Sequence, residues 1–156
     1  MDRGASGERF VAPAERLIAL NPADNQFVRE PLTRTYLVRA SPDKALALAE
    51  RYPEDFCGPT LNRILALVRL GRRGEALVAL RDVASRHRVA VEMLLAETPK
   101  RPKPDPGFGV VMGRKEEAGD YRAAHRALWE RDGALDWLRA AWNEVRKGLR
   151  PYTGEP

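Results

Sequence analysis

The sequence predicts an all-α protein, a short stack of antiparallel helix hairpins, and three observations carry that expectation. Apolar residues recur at spacings of three and four along most of the chain. No segment alternates β-branched and aromatic residues with period two between turn dipeptides. The breaks between periodic segments are short, and such loops make consecutive helices neighbours. With 156 residues, 44% of them apolar and 31% charged, the chain has the size of one ordinary domain. A chain of that length buries roughly 68–70% of its unfolded surface without a staple.

Residues 1–13 read as a flexible arm, 14–149 as a helical-repeat domain and 150–156 as a tail. A short helix over Ala14 to Leu20 carries Leu17, Ile18 and Leu20 and ends at Asn21-Pro22. Asp24 is placed to cap the next helix, where Phe27, Val28, Leu32, Tyr36 and Leu37 recur at helical spacing through Arg39. Pro31 falls beyond the first turn if that helix begins near Asn25, and there it kinks or delays it. Ser41-Pro42-Asp43 starts a third helix, with a cap residue ahead of a proline that needs no donor, and Ala45, Leu46, Leu48, Ala49 and Tyr52 continue it to Pro53. Gly58-Pro59-Thr60 opens a fourth, lined by Leu61, Ile64, Leu65, Leu67 and Val68, and Gly71 ends it.

A fifth helix is expected from Arg73 to Arg86, with Ala76, Leu77, Leu80, Val83 and Ala84 inward, and a short sixth over Val89 to Leu95. Pro99, Pro102, Pro104 and Pro106 break the pattern over 98–113, where Lys100, Arg101 and Lys103 make the loop basic. Helical spacing returns at Arg114 with Ala118, Tyr121, His125, Leu128 and Trp129 on one side. After a break at Asp132-Gly133, a last helix places Leu135, Leu138, Trp142, Val145 and Leu149 in one stripe.

Gly71 with Ala76 five residues on recurs as Gly113 with Ala118, and approximately as Ala40 with Ala45. The small residue permits a tight turn, and the alanine lets the following helix lie close to its neighbour. This is the logic of a tetratricopeptide-type hairpin. Asn21-Pro22-Ala23-Asp24-Asn25-Gln26 with Arg29, Arg51-Tyr52-Pro53-Glu54-Asp55, Leu70-Gly71-Arg72-Arg73-Gly74-Glu75-Ala76, Gly113-Arg114-Lys115-Glu116-Glu117-Ala118 with Tyr121, and Gly133-Ala134-Leu135-Asp136-Trp137-Leu138 follow in order. In this the chain, from about Leu17 to Leu138, resembles the helical-repeat domain of the suppression-of-tumorigenicity family and its bacterial tetratricopeptide-like relatives. Phe27, where those relatives usually carry glycine, and Pro31 depart from the pattern. The resemblance implies a short α-solenoid of irregular hairpins without catalysis, and it transfers no active-site residue.

The formal net charge of +5 is central, at +3 over 58–97 and +4 over 98–115, with −1 on either flank. Such a patch suits an acidic protein partner or a phosphate backbone. A single cysteine, Cys57, forms no internal disulfide and fits a reducing compartment, so the cytoplasm is the expected location. No signal-peptide core or membrane-length apolar run occurs, and no membrane partner is expected.

Constellations for chemistry are sparse. Cys57 with His87 or His125 offers a nucleophile and base only if folding brings them together. One cysteine and two separated histidines lack metal-ligand spacing, and Gly107-Phe108-Gly109 is too short to cradle phosphate, so neither metal nor cofactor is expected. Glu116, Glu117 and Asp120 read as acids favoured at a helix start. Trp129, Trp137 and Trp142, at spacings of eight and five, share no single face and read as packing rather than a base-stacking platform. The expectation is therefore a non-catalytic protein-interaction or scaffold module. Arg29, Arg34, Asn62, Arg63 and Arg69 stand on its groove, and Lys100, Arg101 and Lys103 on its loop. The alternative is nucleic-acid binding through residues 58–115.

Overall fold

The computed structural model describes residues 4–53, 56–99 and 114–150, with side chains from residue 9 onward. Helices α1 (Gly4–Leu20), α2 (Arg29–Val38), α3 (Pro42–Arg51) and α4 (Cys57–Arg69) belong to a first compact unit, Met1–Gly71. Helices α5 (Arg73–Val83), α6 (Arg88–Leu95), α7 (Lys115–Trp129) and α8 (Ala134–Val145) belong to a second, Arg72–Pro156, with single 3-10 turns at Arg131–Gly133 and Arg146–Gly148. No strand occurs among the described residues, so the chain is all-α there.

In the first unit each helix packs on its chain neighbour, and α2 also reaches α4. Leu32, Leu37, Ala45, Leu61, Ile64 and Leu65 are fully buried. Pro42 stands at the start of α3 as its sequence requires. Helix α2 begins only at Arg29, four residues later than its apolar spacing suggests, and this places Pro31 in the first turn, where no N–H has an intrahelical acceptor. The proline therefore delays the helix and does not kink it. Helix α1, in contrast, runs from Gly4, so residues 4–13 are helical rather than an arm. Pro13 lies inside it; lacking a donor, it leaves the Arg9 carbonyl without its helical partner, a tolerable loss because Arg9 is exposed.

Two turns share one construction. Ala40 (φ 54°) and Gly71 (φ 75°) are both left-handed and stand five residues before Ala45 and Ala76, which are fully buried. At Ala40 the amide of Ser41 donates to the Tyr36 carbonyl and that of Ala40 to Leu37, closing α2 with a six-residue Schellman turn. Ala118 is likewise buried; Gly113, its expected turn residue, lies outside the described residues.

In the second unit α6 packs on α7, while α8 makes its main contacts with α5 and α6 rather than with α7, its predecessor in the chain. Successive left-handed residues, Asp132 (φ 55°) and Gly133 (φ 70°), redirect the chain between α7 and α8. A short connection therefore does not by itself produce a packed hairpin. Leu135, Leu138, Trp142 and Val145 are buried as their spacing predicts. Leu149 does not continue that stripe, because α8 ends at Val145 and Leu149 is extended after the 3-10 turn.

Candidate functional site

The densest polar cluster of the first unit is the loop between α1 and α2. Asp24, 2% exposed, accepts the amides of Val28 and Arg29, both at 2.9 Å. The Arg29 guanidinium returns to it, with Nη1 3.0 Å from Oδ2 and 3.1 Å from the Asp24 carbonyl. Burial alone would raise the Asp24 carboxyl, but these donors and the adjacent cation outweigh it and hold it below the ordinary carboxylate range. Arg29 also lies over the Phe27 ring at 4.7 Å and the Tyr52 ring at 5.3 Å. The Tyr52 hydroxyl donates to the Pro22 carbonyl at 2.6 Å, tying the loop to the end of α3. Asp24 is thus the cap its sequence position suggests. Phe27, next to this cap, has left-handed φ 54°.

Beside this knot, Arg29 and Thr33 of α2, Ala49 of α3, Tyr52, and Pro59 and Asn62 of α4 line a shallow cleft of about 10 Å³, room for one water. Of the expected groove residues it brings together Arg29 and Asn62. Neither is displayed as expected: Asn62 is 1% exposed and the Arg29 side chain 12%. Asn62 is buried because it shares the turn of α4 that carries Leu61, Ile64 and Leu65 into the core. Arg69 donates to the Leu37 carbonyl at 2.6 Å and so closes the last turn of α2. Arg34 is exposed, and Arg63 is half-exposed, 3.7 Å from Glu50. Lys100, Arg101, Lys103 and Gly107-Phe108-Gly109 lie outside the described residues.

Tyr36 donates to Glu15 at 2.5 Å, and Lys44 reaches the same carboxylate at 3.5 Å, so α1, α2 and α3 meet at one acid. Burial, and then the neighbouring Glu15, push the Tyr36 phenol above its ordinary value. In the second unit Arg122 donates to the Met93 and Leu94 carbonyls at 3.0 and 2.9 Å, and Arg126 to those of Leu94 and Ala96. Two guanidinium groups from α7 thus close the C-terminal end of α6. Desolvation, and then Arg126 beside it, lower the Arg122 pKa. Glu97 joins Arg126 at 3.6 Å to Arg139 at 3.1 Å.

Cys57 is buried in the first unit, and His87 and His125 are buried in the second. His125 stacks on Tyr121 with centroids 4.2 Å apart, and the Tyr121 hydroxyl accepts from the Trp129 indole at 2.9 Å. Trp129 and Trp142 are core residues and Trp137 is half-buried. Glu116 and Glu117 open α7, Glu117 being buried. Among the described residues no group of three or more His, Cys, Asp or Glu is arranged to hold a metal, and no helix is long and apolar enough to cross a membrane.

Large apolar side chains also stand at the surface of the first unit: Leu17 is 44% exposed, Leu20 75% and Phe27 61%. Their exposure was missed from the sequence because apolar spacing marks a helical face without saying whether that face is covered. Comparison with protein-family models, curated proteins and solved structures finds no match.

Proposed function

We propose that the chain is a non-catalytic protein-binding module of a reducing compartment, with tetratricopeptide-like repeat character in its left-handed-turn and buried-alanine elements at 40–45 and 71–76. The observation that carries the reading is the exposure of Leu17, Leu20 and Phe27 within eleven residues of one unit. A run of uncovered large apolar side chains beside cationic ones suits a macromolecular partner better than a small ligand. Acidic groups on that partner complement Arg34, which is exposed, and Arg63, which is half-exposed beside Glu50.

The nucleic-acid alternative draws less support, since Arg69, Arg72 and Arg88 of the basic segment engage a carbonyl, Glu75 and Glu92 within the chain. The test is affinity purification of the intact chain from its native cells, with and without nuclease, beside Arg34→Glu/Arg63→Glu. A nuclease-resistant, stoichiometric protein is expected, and the variant should retain it at least roughly fivefold less, about 1 kcal/mol. Recovery of nucleic acid alone, or of no stoichiometric protein, rejects the module.

A further inference from the structure

Helix α1 carries two apolar faces, and only one is covered. Ala14 and Ile18 are buried, and α1 packs principally on α2. Phe10, Pro13, Leu17 and Leu20 follow one another at spacings of three, four and three, which at about 100° per residue gathers them into a separate stripe roughly 80° wide. Phe10 is half-buried and the other three are exposed. Arg9 and Arg16 lie just beyond the stripe on the side away from Ala14 and Ile18; both are exposed, and neither forms an ion pair among the described residues.

We propose that this stripe is the docking site for an amphipathic helix that carries acidic residues beside its own apolar seam. The inference rests on the protein-binding reading and names the surface and the chemistry of the partner. A narrow seam at alternating three- and four-residue steps is the pattern that accepts a second helix by interlocking side chains. The exposed Arg9 and Arg16 on its rim select carboxylates at the flanking positions of that helix. Charge argues against a second copy, because antiparallel pairing of two α1 helices sets Arg9 and Arg16 of one against those of the other. The narrow width argues against a lipid surface, which takes up a broad apolar face.

The test uses the full chain and synthetic amphipathic helices with leucine seams, flanked by glutamate, lysine or serine, at low salt. The glutamate peptide binds at least about tenfold tighter than the lysine peptide. Leu17→Asp and Leu20→Asp each abolish binding, and Arg9→Glu/Arg16→Glu reverses the preference, with the circular dichroism of all variants unchanged. Equal binding of the three peptides, or of none, overturns the proposal. So does self-association removed by Leu20→Asp, which assigns the stripe to a second copy, or retention on phosphatidylserine vesicles with no peptide binding. A native partner captured equally by wild type and Leu17→Asp/Leu20→Asp also overturns it, yet leaves the module reading standing; absence of any native partner strikes that reading and not the peptide result.

Discussion

Asp24, Phe27, Ala40 and Asp132 hold left-handed backbone although none is glycine. Such a conformation costs an L-residue about 1–2 kcal/mol. At Ala40 the side chain is exposed and the turn is a standard glycine position, so Ala40→Gly should stabilise the fold by about 0.5–1 kcal/mol after the added freedom of the unfolded chain is counted. Urea midpoints measure it. Gly71→Ala is the converse: no atom beyond the adjoining residues lies within 4 Å of the new methyl, so a loss of about 1 kcal/mol would be purely conformational. Asp24 contributes differently. Its folded pKa is depressed, so its stabilisation is present above the unfolded value near pH 4 and disappears as pH falls through the folded value. Asp24→Asn should cost about 2 kcal/mol at pH 7 and progressively less in increasingly acidic solution, read by urea denaturation across pH.

Helix ends differ in how far their chemistry is written locally. The start of α3 and the stop of α4 are legible because Ser41-Pro42 and Gly71 act through their own backbone. The start of α2 is less so, since the cap at Asp24 works from four and five residues back through a folded loop. Pro13 invites a boundary, yet burial of Ala14 and Ile18 accompanies continuation of the helix through it. The end of α6 at Leu95 is legible in the sequence, but what closes it is not, because its carbonyls are met by Arg122 and Arg126 across a sequence gap of about thirty residues. Arg122→Ala and Arg126→Ala should each cost about 1–2 kcal/mol, and the double variant should cost more than their sum, since both donate to Leu94 and either alone still satisfies that carbonyl. A double-mutant cycle checks the coupling. In the same unit, Trp129→Phe loses a buried hydrogen bond to Tyr121, whereas the buried Trp142 indole has no acceptor among the described residues; Trp129→Phe should be costlier than Trp142→Phe by about 1 kcal/mol.

At the scale of the whole molecule, buried alanines at 45, 76 and 118 agree with the sequence pattern, while the route of the chain in the second unit does not follow from it. Periodicity identifies the inner face of α8 but not which helices it meets. The same limit applies to the candidate site: arginine positions are visible in a sequence, yet that Arg29 and Arg69 spend donors on Asp24 and on the Leu37 carbonyl is not. Cys57, 1% exposed, provides a reporter of opening in the first unit. Native-state alkylation should be slower than in urea by at least about a thousandfold, and rapid native labelling would reveal local opening at the start of α4.

The guanidinium closure of α6 by α7 has a practical corollary. It fastens the end of α6 to α7 directly, through bonds made outside the 98–113 interval. Each doubling of that tether adds only about 0.6 kcal/mol of closure entropy. Lengthening the chain between residues 100 and 113 should accordingly leave the urea midpoint nearly unchanged, whereas the same insertion in Arg122→Ala/Arg126→Ala should lower it further.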